Sequence, residues 1–425
     1  MNIWDAPAST SPINATVRVP GSKSLTNRYL LLAALAKGPS VIRHPLVSRD
    51  TTLMVGALEQ LGVAVNRTED DSAWHVTPPS KFTGDITIEC GLAGTVMRFV
   101  PPIAALARGQ VRFDGDASAR TRPMSELLTG LRDLGVMIDD EGEARLPFSL
   151  HATGSVKGGR VAIDASASSQ FISALLLAGA RFEDGLTVRH TGDSVPSSAH
   201  IQMTLETLRN AGVQVSRPDD HSWRVWPGAV LPFDVEVEPD LSSAAPFVAL
   251  AAVTGGTVTV EGWPQSTTQA GAEIAAIARE MGAEVSLTDN GLVVTGPPVG
   301  ELLGLDRDLH EVGELTPVVA AMAAVASGPS TLRGVAHLRG HETDRLAALQ
   351  AELGRMGSEI EQTADGLTIE PRWLGPALLQ TYHDHRMAMA AAVLGAVVPG
   401  TRVEDVETTA KTFPGFEHVW AQAVG

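Results

Sequence analysis

An apolar helix pattern returns six times along the chain, at a spacing of about 72 residues. In each copy, a small or polar cluster opens an apolar, Ala-rich helix of about 12 to 14 residues. The copies begin at Ser22, Gly91, Ser166, Asp240, Glu311 and Asp384. Because each helix is apolar on every side it must be buried, yet it is too short to span a bilayer. The pattern therefore predicts six copies of one supersecondary unit.

A second set of helices alternates with the first and is amphipathic, ending in a Gly and a short strand. These helices are predicted around segments that start at Leu53, Glu126, Leu205, Glu273 and Arg345. Strands with β-branched alternation are predicted at Asp85–Cys90, Val111–Asp114, Gly159–Ile163, Thr257–Glu261 and Gly366–Glu370. Each copy of the repeat then has a βαβαββ-type order.

The fold class follows from the burial of the apolar helices. If these helices lie inside, the strands must form half-exposed sheets outside them, the reverse of the usual α/β arrangement. Six such helices are too many for one core. We therefore predict two inside-out α/β domains, each of three βαβαββ-type repeats with buried helices and outer sheets. The boundary is expected near Pro232–Pro239, which gives one domain of residues 21–236 and a discontinuous one of residues 1–20 plus 237–425.

Composition disfavours some kinds of binding partner and indicates a cellular compartment. The net charge of −17 disfavours a nucleic acid or an anionic membrane as a partner of the whole surface. The single Cys90 excludes a disulfide framework and fits a reducing compartment. The first residues lack a basic region followed by an apolar one, and no apolar run reaches membrane length. A cytoplasmic location is therefore expected.

The segment from Pro20 to Arg28 carries the densest chemical signal. A Gly-Ser turn is followed by Lys23, Ser24 and Arg28 at the start of a helix, where free backbone N–H groups favour an anion. A plain helix start with exposed cations is the competing interpretation. Further cations stand at or near other helix starts, at Arg98, Arg122, Arg345, Arg386 and Lys411. Together they predict a site for a multiply anionic ligand, formed where the helix starts of both domains face one cleft.

Acidic and histidine residues lie in the same segments. Glu314 opens an apolar helix, either as an acid favoured by the helix dipole or as a partly desolvated base. The spacings His337-x-x-x-His341 and His383-x-His385 could bind zinc or iron. Because arginines occupy the same clusters and would repel a dication, we predict no metal.

The motifs resemble, in order and spacing, those of the 5-enolpyruvylshikimate-3-phosphate (EPSP) synthase family over about residues 17 to 416. The matching segments are PGSKSLTNR, AGTVMR, RTRP, SSQF, HETDRL, DHRMAM and AKTFP. The resemblance implies two inside-out domains of three repeats each. It also implies transfer of the enolpyruvyl group of phosphoenolpyruvate to the 5-hydroxyl of shikimate 3-phosphate, with no cofactor. Glyphosate competes with phosphoenolpyruvate in this family.

The resemblance also implies roles for individual residues. Those expected to bind shikimate 3-phosphate are Lys23, Ser24, Arg28, Ser168, Ser169, Ser197, Glu314, His337 and His341. Those expected to bind phosphoenolpyruvate are Lys23, Gly94, Arg122, Gln170, Arg345, Arg386 and Lys411. The expected catalytic residues are Lys23, Glu314, Glu342 and Lys411. We expect a monomer whose partners are its two small-molecule substrates.

This chain departs from the commonest family pattern at five positions. They are Leu92, His337 and His383 in place of Asn, Glu314 in place of Asp, and His341 in place of Lys.

The nearest alternative is the sibling transferase that acts on a UDP-amino sugar, but its loop Cys has no counterpart in the loop from Gly115 to Pro123. A second alternative is a metal-dependent hydrolase, and its support in the sequence would be the His clusters. A DNA clamp would need Lys-rich helices, whereas these are rich in Ala and Leu.

Overall fold

The computed structural model describes residues 2–425, and the chain divides into two compact units. The N-terminal unit is Gly21–Val237. The C-terminal unit joins the residues up to Pro20 with Glu238–Gly425. Within the described residues, no helix is both long and apolar enough to cross a membrane.

Helices and strands alternate along the described part of the chain. The helices are α1 (Lys23–Leu35), α2 (Arg49–Gln60), α3 (Gly94–Ala104), α4 (Ser125–Asp133), α5 (Gln170–Gly179), α6 (Ala199–Asn210), α7 (Leu241–Thr254), α8 (Ile274–Glu280), α9 (Thr316–Ala324), α10 (Arg345–Arg355), α11 (His385–Val397) and α12 (Phe416–Val424). Short 3-10 helices span Ala270–Glu273, His310–Leu315, Ala336–Gly340 and Val406–Lys411.

The strands are β1 (Ile3–Asp5), β2 (Asn14–Val17), β3 (Ser40–Arg43), β4 (Ala64–Arg67), β5 (Ala73–Thr77), β6 (Ile86–Glu89), β7 (Arg108–Asp114), β8 (Met137–Asp139), β9 (Phe148–Thr153), β10 (Gly159–Ile163), β11 (Leu186–His190), β12 (Val215–Asp219), β13 (Ser222–Val225), β14 (Asp234–Glu236), β15 (Thr257–Glu261), β16 (Glu284–Thr288), β17 (Gly291–Thr295), β18 (Asp306–Asp308), β19 (Ser330–Arg333), β20 (Glu359–Gln362), β21 (Leu367–Glu370), β22 (Leu378–Leu379) and β23 (Arg402–Glu404).

The N-terminal unit contains three four-stranded sheets of the same topology. Their strand orders are β6-β7-β9-β8, β10-β11-β13-β12 and β14-β3-β5-β4. In each sheet the first pair is parallel and the other pairs are antiparallel. The last strand of the unit, β14, therefore supplies the edge strand that the first repeat lacks, with Val235 opposite Ile42.

Two sheets of the C-terminal unit repeat this four-stranded topology and the third has three strands, and the unit uses strands from both ends of the chain. Its sheets have the orders β16-β17-β15-β2, β18-β19-β21-β20 and β1-β23-β22. Strand β2 runs parallel to β15, with Val17 opposite Val260, and β1 runs antiparallel to β23. The segment that precedes α1 thus completes two sheets of this unit.

Burial separates the helices from the sheets as their sequences require. Every residue of α5 after its first is buried, and so is every residue of α9. Strand β10 instead alternates, with Val161 and Ile163 buried and Ala162 exposed. Apolar residues on every side of a helix are stable only inside a core, whereas alternation suits a sheet with one wet face. The predicted inside-out α/β fold class is confirmed.

Helix starts differ from the sequence prediction in a consistent way. The apolar helices were expected from Gly91, Ser166 and Glu311, but α3, α5 and α9 begin three to five residues later. The intervening residues form turns, or the 3-10 helix His310–Leu315 before α9. Before α5 the reason is local hydrogen bonding, because the Ser168 hydroxyl accepts from the N–H of Gln170 and serines favour turns and caps over helix interior positions.

Candidate functional site

The predicted site residues fall into two groups, one in each unit. The N-terminal cluster consists of Lys23, Ser24, Arg28, Gly94, Arg122, Ser168, Ser169, Gln170 and Ser197. The C-terminal cluster consists of Glu314, His337, His341, Glu342, Arg345, Arg386 and Lys411. Most members stand in the first turn of a helix or in the turn before it, where unpaired backbone N–H groups and the helix dipole favour anions.

Lys23 begins α1 and pairs with a buried acid. Its Nζ lies 3.4 Å from Oδ2 of Asp50, whose side chain is 4% exposed in the first turn of α2. The hydroxyl of Ser22 caps α1 by accepting from the backbone N–H of Leu25. The ammonium of Lys23 is thus held at the start of the helix by an ion pair with a neighbouring element.

Arg28 lies one turn further into α1 and is buried. Its Nε donates to Oγ1 of Thr204 at 2.8 Å, and its Nη atoms donate to the carbonyls of Ser24 and His200 at 2.9 and 3.0 Å. The guanidinium therefore fixes the start of α1 against α6. This leaves the cation beside Ser24 in a setting with little water, where charge acts strongly.

Arg98 and Arg122 form a cationic pair around the start of α3. Arg98 donates to Oε1 of Gln170 at 2.9 Å and to the carbonyl of Pro123 at 3.3 Å. Burial, and then the charge of Arg122, hold the pKa of Arg98 well below its usual range. Two nearby cations in a dry setting repel each other, so an anion bound there would be stabilised.

Gly94 allows Arg122 to approach the first turn of α3. A Cβ on Gly94 would lie 2.9 Å from Nη2 of Arg122, closer than two such atoms normally come. Arg122 also donates from Nη1 to the carbonyl of Leu92 at 3.3 Å. The glycine thus makes room for a guanidinium directly over the helix start.

The serines of this cluster occupy two helix starts. Ser169 is buried and precedes α5, and Oγ of Ser168 accepts from the N–H of Gln170 at 3.2 Å. Ser197 lies before α6 with a left-handed backbone (φ 52°). Such a conformation is costly for a residue other than glycine and tends to occur at functional sites.

In the C-terminal cluster, Glu342 is held between two basic side chains. Lys411 donates to its Oε1, and Nδ1 of His385 lies 3.2 Å from its Oε2. Its side chain is 10% exposed. Burial opposes the charged form, but Lys411 and His385 outweigh burial and hold the pKa of this carboxyl well below its usual range. Glu342 is therefore a carboxylate at neutral pH.

Arg345 and Asp384 form a buried two-pronged ion pair. Nε and Nη2 of Arg345 donate to the two carboxylate oxygens at 2.7 and 3.1 Å, and the side chains are 3% and 0% exposed. Burial raises the pKa of Asp384, but Arg345 and other basic neighbours lower it below its usual value. Asp384 also caps α11 by accepting from the N–H of Arg386 at 2.9 Å. The pair therefore ties the start of α10 to the start of α11.

Arg386 and Glu314 are also brought together. Nη2 of Arg386 lies 3.4 Å from Oε2 of Glu314, in the 3-10 helix before α9. Arg386 itself is buried, whereas the side chain of Glu314 is 37% exposed. Glu314 is therefore partly open to solvent and lies beside a buried cation.

Two of the unusual histidines contact each other. The rings of His337 and His341 lie 5.7 Å apart, and Nη1 of Arg345 lies 3.4 Å from Nδ1 of His341. Because an arginine can only donate, this contact uses a His341 Nδ1 that carries no proton. Burial, His310 and Arg345 lower the pKa of His337 to about 4. His337 is therefore neutral at physiological pH.

The possible metal ligands do not follow the predicted histidine spacings. His383 is 85% exposed beside Asp405, whereas His385 is buried. Among the residues described, one atom each of Glu342, Asp384 and His385 lie within 4.8 Å of one another. Lys411 and Arg345 already neutralise these carboxylates. Fixed cations at both acids make this group a poor fit to a divalent ion.

Comparison with known proteins identifies the family. A family model described as EPSP synthase (3-phosphoshikimate 1-carboxyvinyltransferase) matches residues 7–420. The chain belongs to this family. It is 56% identical over 433 aligned residues to the 3-phosphoshikimate 1-carboxyvinyltransferase of Kocuria rhizophila, covering 100% of this chain and 97% of the relative.

Solved structures show the same fold at lower identity. The EPSP synthase of Acinetobacter baumannii, solved at 2.37 Å, superposes with a TM-score of 0.81 at 24% identity, covering 98% of this chain and 97% of that one. The enolpyruvyl transferase NikO of Streptomyces tendae superposes with a TM-score of 0.73 at 16% identity, covering 98% and 96%. At these identities the likeness concerns the fold alone.

Three residues that the sequence did not predict lie in contact with the two clusters. Asp50 pairs with Lys23, His385 contacts Glu342, and Asp384 binds Arg345. Asp50 and Asp384 look in the sequence like ordinary acids of helix starts. The sequence indicates His385 only as a possible metal ligand. The adjacency of Asp384 and His385 to Arg386 was the one local signal for their position.

Proposed function

We propose that this protein transfers the enolpyruvyl group of phosphoenolpyruvate to the 5-hydroxyl of shikimate 3-phosphate, giving 5-enolpyruvylshikimate 3-phosphate and phosphate. The observation that carries this function is the EPSP synthase family match over residues 7–420. The clusters support it chemically, because the substrates together carry two phosphates and two carboxylates. Fixed cations at helix starts stabilise such groups.

In this proposal, each substrate is bound by its own set of residues, and Lys23 contacts both substrates. Phosphoenolpyruvate is bound by Lys23, Gly94, Arg122, Gln170, Arg345, Arg386 and Lys411. Shikimate 3-phosphate is bound by Lys23, Ser24, Arg28, Ser168, Ser169, Ser197, Glu314, His337 and His341. The buried cations support these roles, since a cation held in place by the protein loses little freedom when it binds an anion.

The reaction then needs one base for the hydroxyl and one group for the methylene carbon. Glu314 takes the proton of the 5-hydroxyl while the oxygen of that hydroxyl bonds to C2 of phosphoenolpyruvate. At the same time C3 of phosphoenolpyruvate gains a proton. C3 then loses a proton as the C2–O bond to phosphate breaks, which restores the double bond. The proton that C3 gains comes from Lys411 by way of Glu342, which Lys411 contacts, and the Glu342 carboxylate takes the proton that C3 later loses and returns it to Lys411. Lys23 or Lys411 assists the departing phosphate.

We also propose that the protein acts as a monomer in the cytoplasm, without a metal or cofactor. The single Cys90 supports a reducing compartment, and the net charge of −17 disfavours a polyanionic partner. Light scattering coupled to size exclusion tests the monomer directly, because a dimer would double the mass of 44.6 kDa.

The sibling reaction on a UDP-amino sugar is the alternative to test. Purified protein is incubated with phosphoenolpyruvate and either shikimate 3-phosphate or UDP-N-acetylglucosamine, and the products are identified by mass spectrometry. The proposal predicts an enolpyruvyl adduct of shikimate 3-phosphate only. An adduct of the UDP-sugar would replace the proposed acceptor.

A further inference from the structure

The turn before α11 has an unusual backbone. Tyr382 and His383 are consecutive non-glycine residues in the left-handed region, with φ of 54° and 56°. Residues other than glycine rarely adopt this conformation, because the side chain makes it costly. It persists where the surrounding structure fixes it. The residues that follow directly are Asp384, His385 and Arg386. The strained turn therefore leads straight into the C-terminal cluster.

Glu352 on α10 accepts hydrogen bonds from the segment that forms this turn. Its Oε1 accepts from Oη of Tyr382 at 2.7 Å, and its Oε2 accepts from the backbone N–H of Gln380 at 3.0 Å. The side chain of Glu352 is 5% exposed, and Arg355 donates to it from Nε at 3.2 Å. Burial and the bond to Glu352 raise the pKa of Tyr382 to about 12, so this hydroxyl keeps its proton and remains a donor.

The same helix also holds the far end of the turn. Arg345, at the start of α10, binds Asp384, while Glu352 lies two helical turns later on the same face of α10. The segment between Gln380 and Asp384 is thus bound at both ends to one helix. Asp384 in turn accepts from the N–H of Arg386. Both contacts therefore hold the segment from which α11 begins.

We propose that Glu352 and Tyr382 are positioning residues for phosphoenolpyruvate: their hydrogen bond maintains the left-handed turn that orients Arg386 and His385. This rests on the proposed function of Arg386 in binding phosphoenolpyruvate. Neither residue touches a reacting atom. A polar pair that served only to satisfy buried groups would add stability to the unit without affecting one substrate more than the other.

Tyr382→Phe tests the proposal, because it removes one hydroxyl and keeps the ring. The loss of a hydrogen bond to a charged group should raise KM for phosphoenolpyruvate by about tenfold, while KM for shikimate 3-phosphate changes less than twofold. Adding His383→Gly should recover part of this loss, since glycine adopts a left-handed backbone without strain. His383→Gly alone is the matched control and should keep near-normal constants.

Hydrogen exchange of the backbone amides gives a readout that does not need turnover. Amides 383–387 should exchange faster in Tyr382→Phe than in the wild type, with little change elsewhere in the C-terminal unit. Equal rises of both KM values with unchanged exchange would overturn the positioning role. If the wild type itself fails to convert the two substrates, the proposed function fails, and the exchange data still decide whether the pair orders the turn.

Discussion

Replacing Glu342 with Gln probes the proton transfer at the methylene carbon. Gln has the same size but cannot accept a proton at neutral pH. The carboxylate lies between Lys411 and His385, and these neighbours hold its pKa well below the usual range. Loss of a positioned acid–base group typically lowers the rate by about 10² to 10⁴. That is about 3 to 5.5 kcal/mol of transition-state stabilisation.

The same substitution should also destabilise the C-terminal unit, because Lys411 and His385 lose their shared carboxylate. Breaking a buried ion pair costs about 3 to 5 kcal/mol, and we expect the low end because the amide still hydrogen-bonds. The folded-state pKa of Glu342 is depressed, so its stabilising effect is present above the unfolded value of about 4.3 and is lost as the pH falls. The stability difference between wild type and variant should therefore be constant near neutral pH and shrink below about pH 4.3.

The assay follows kcat together with exchange at C3. In D₂O, wild-type enzyme should incorporate deuterium into the methylene group of phosphoenolpyruvate during turnover with shikimate 3-phosphate, and Glu342→Gln should lose both exchange and kcat. Glu370→Gln, an exposed acid on β21, is the control. A folded Glu342→Gln protein with kcat within threefold of wild type and normal exchange would refute the role of Glu342.

Three further predictions concern other residues. Glu314→Gln should lower kcat by about 10² to 10⁴ if this residue is the general base, and a wild-type kcat would leave it as a helix-dipole residue only. Gly94→Ala should raise the inhibition constant of glyphosate more than KM for phosphoenolpyruvate, because the added Cβ would lie 2.9 Å from Nη2 of Arg122 and displace it; equal inhibition of both proteins would contradict this. Phosphate release should survive excess EDTA, and loss of activity restored by zinc would favour the metal-dependent alternative.

The inside-out fold could be predicted from the sequence because burial leaves a direct pattern. The segment ALLLAG at residues 174–179 of α5 is apolar on every side, so no face of it could meet water. Strand β10 was predicted with the bounds that the structure has, since Val161 and Ile163 alternate with exposed residues. The starts of α3, α5 and α9 were less accurate, because an apolar pattern does not show where the turn before a helix ends and the helix begins.

Sequence patterns do not predict which residues far apart in the chain form ion pairs. Nothing near Asp50 indicates that it faces Lys23, since the contact depends on how α2 packs against α1. The same holds for Lys411 and Glu342, which are far apart in sequence and belong to different repeats. Motif resemblance could suggest a role for each of them, whereas only the packed unit shows which side chains neutralise one another.

The requirement for both substrates tests the central claim most directly. Purified protein is supplied with phosphoenolpyruvate alone, shikimate 3-phosphate alone, or both, and released phosphate is measured. The account predicts phosphate only with both, in equal amounts to newly formed 5-enolpyruvylshikimate 3-phosphate. Phosphate released from either substrate alone at the same rate would mean that the protein is a hydrolase and would contradict the account.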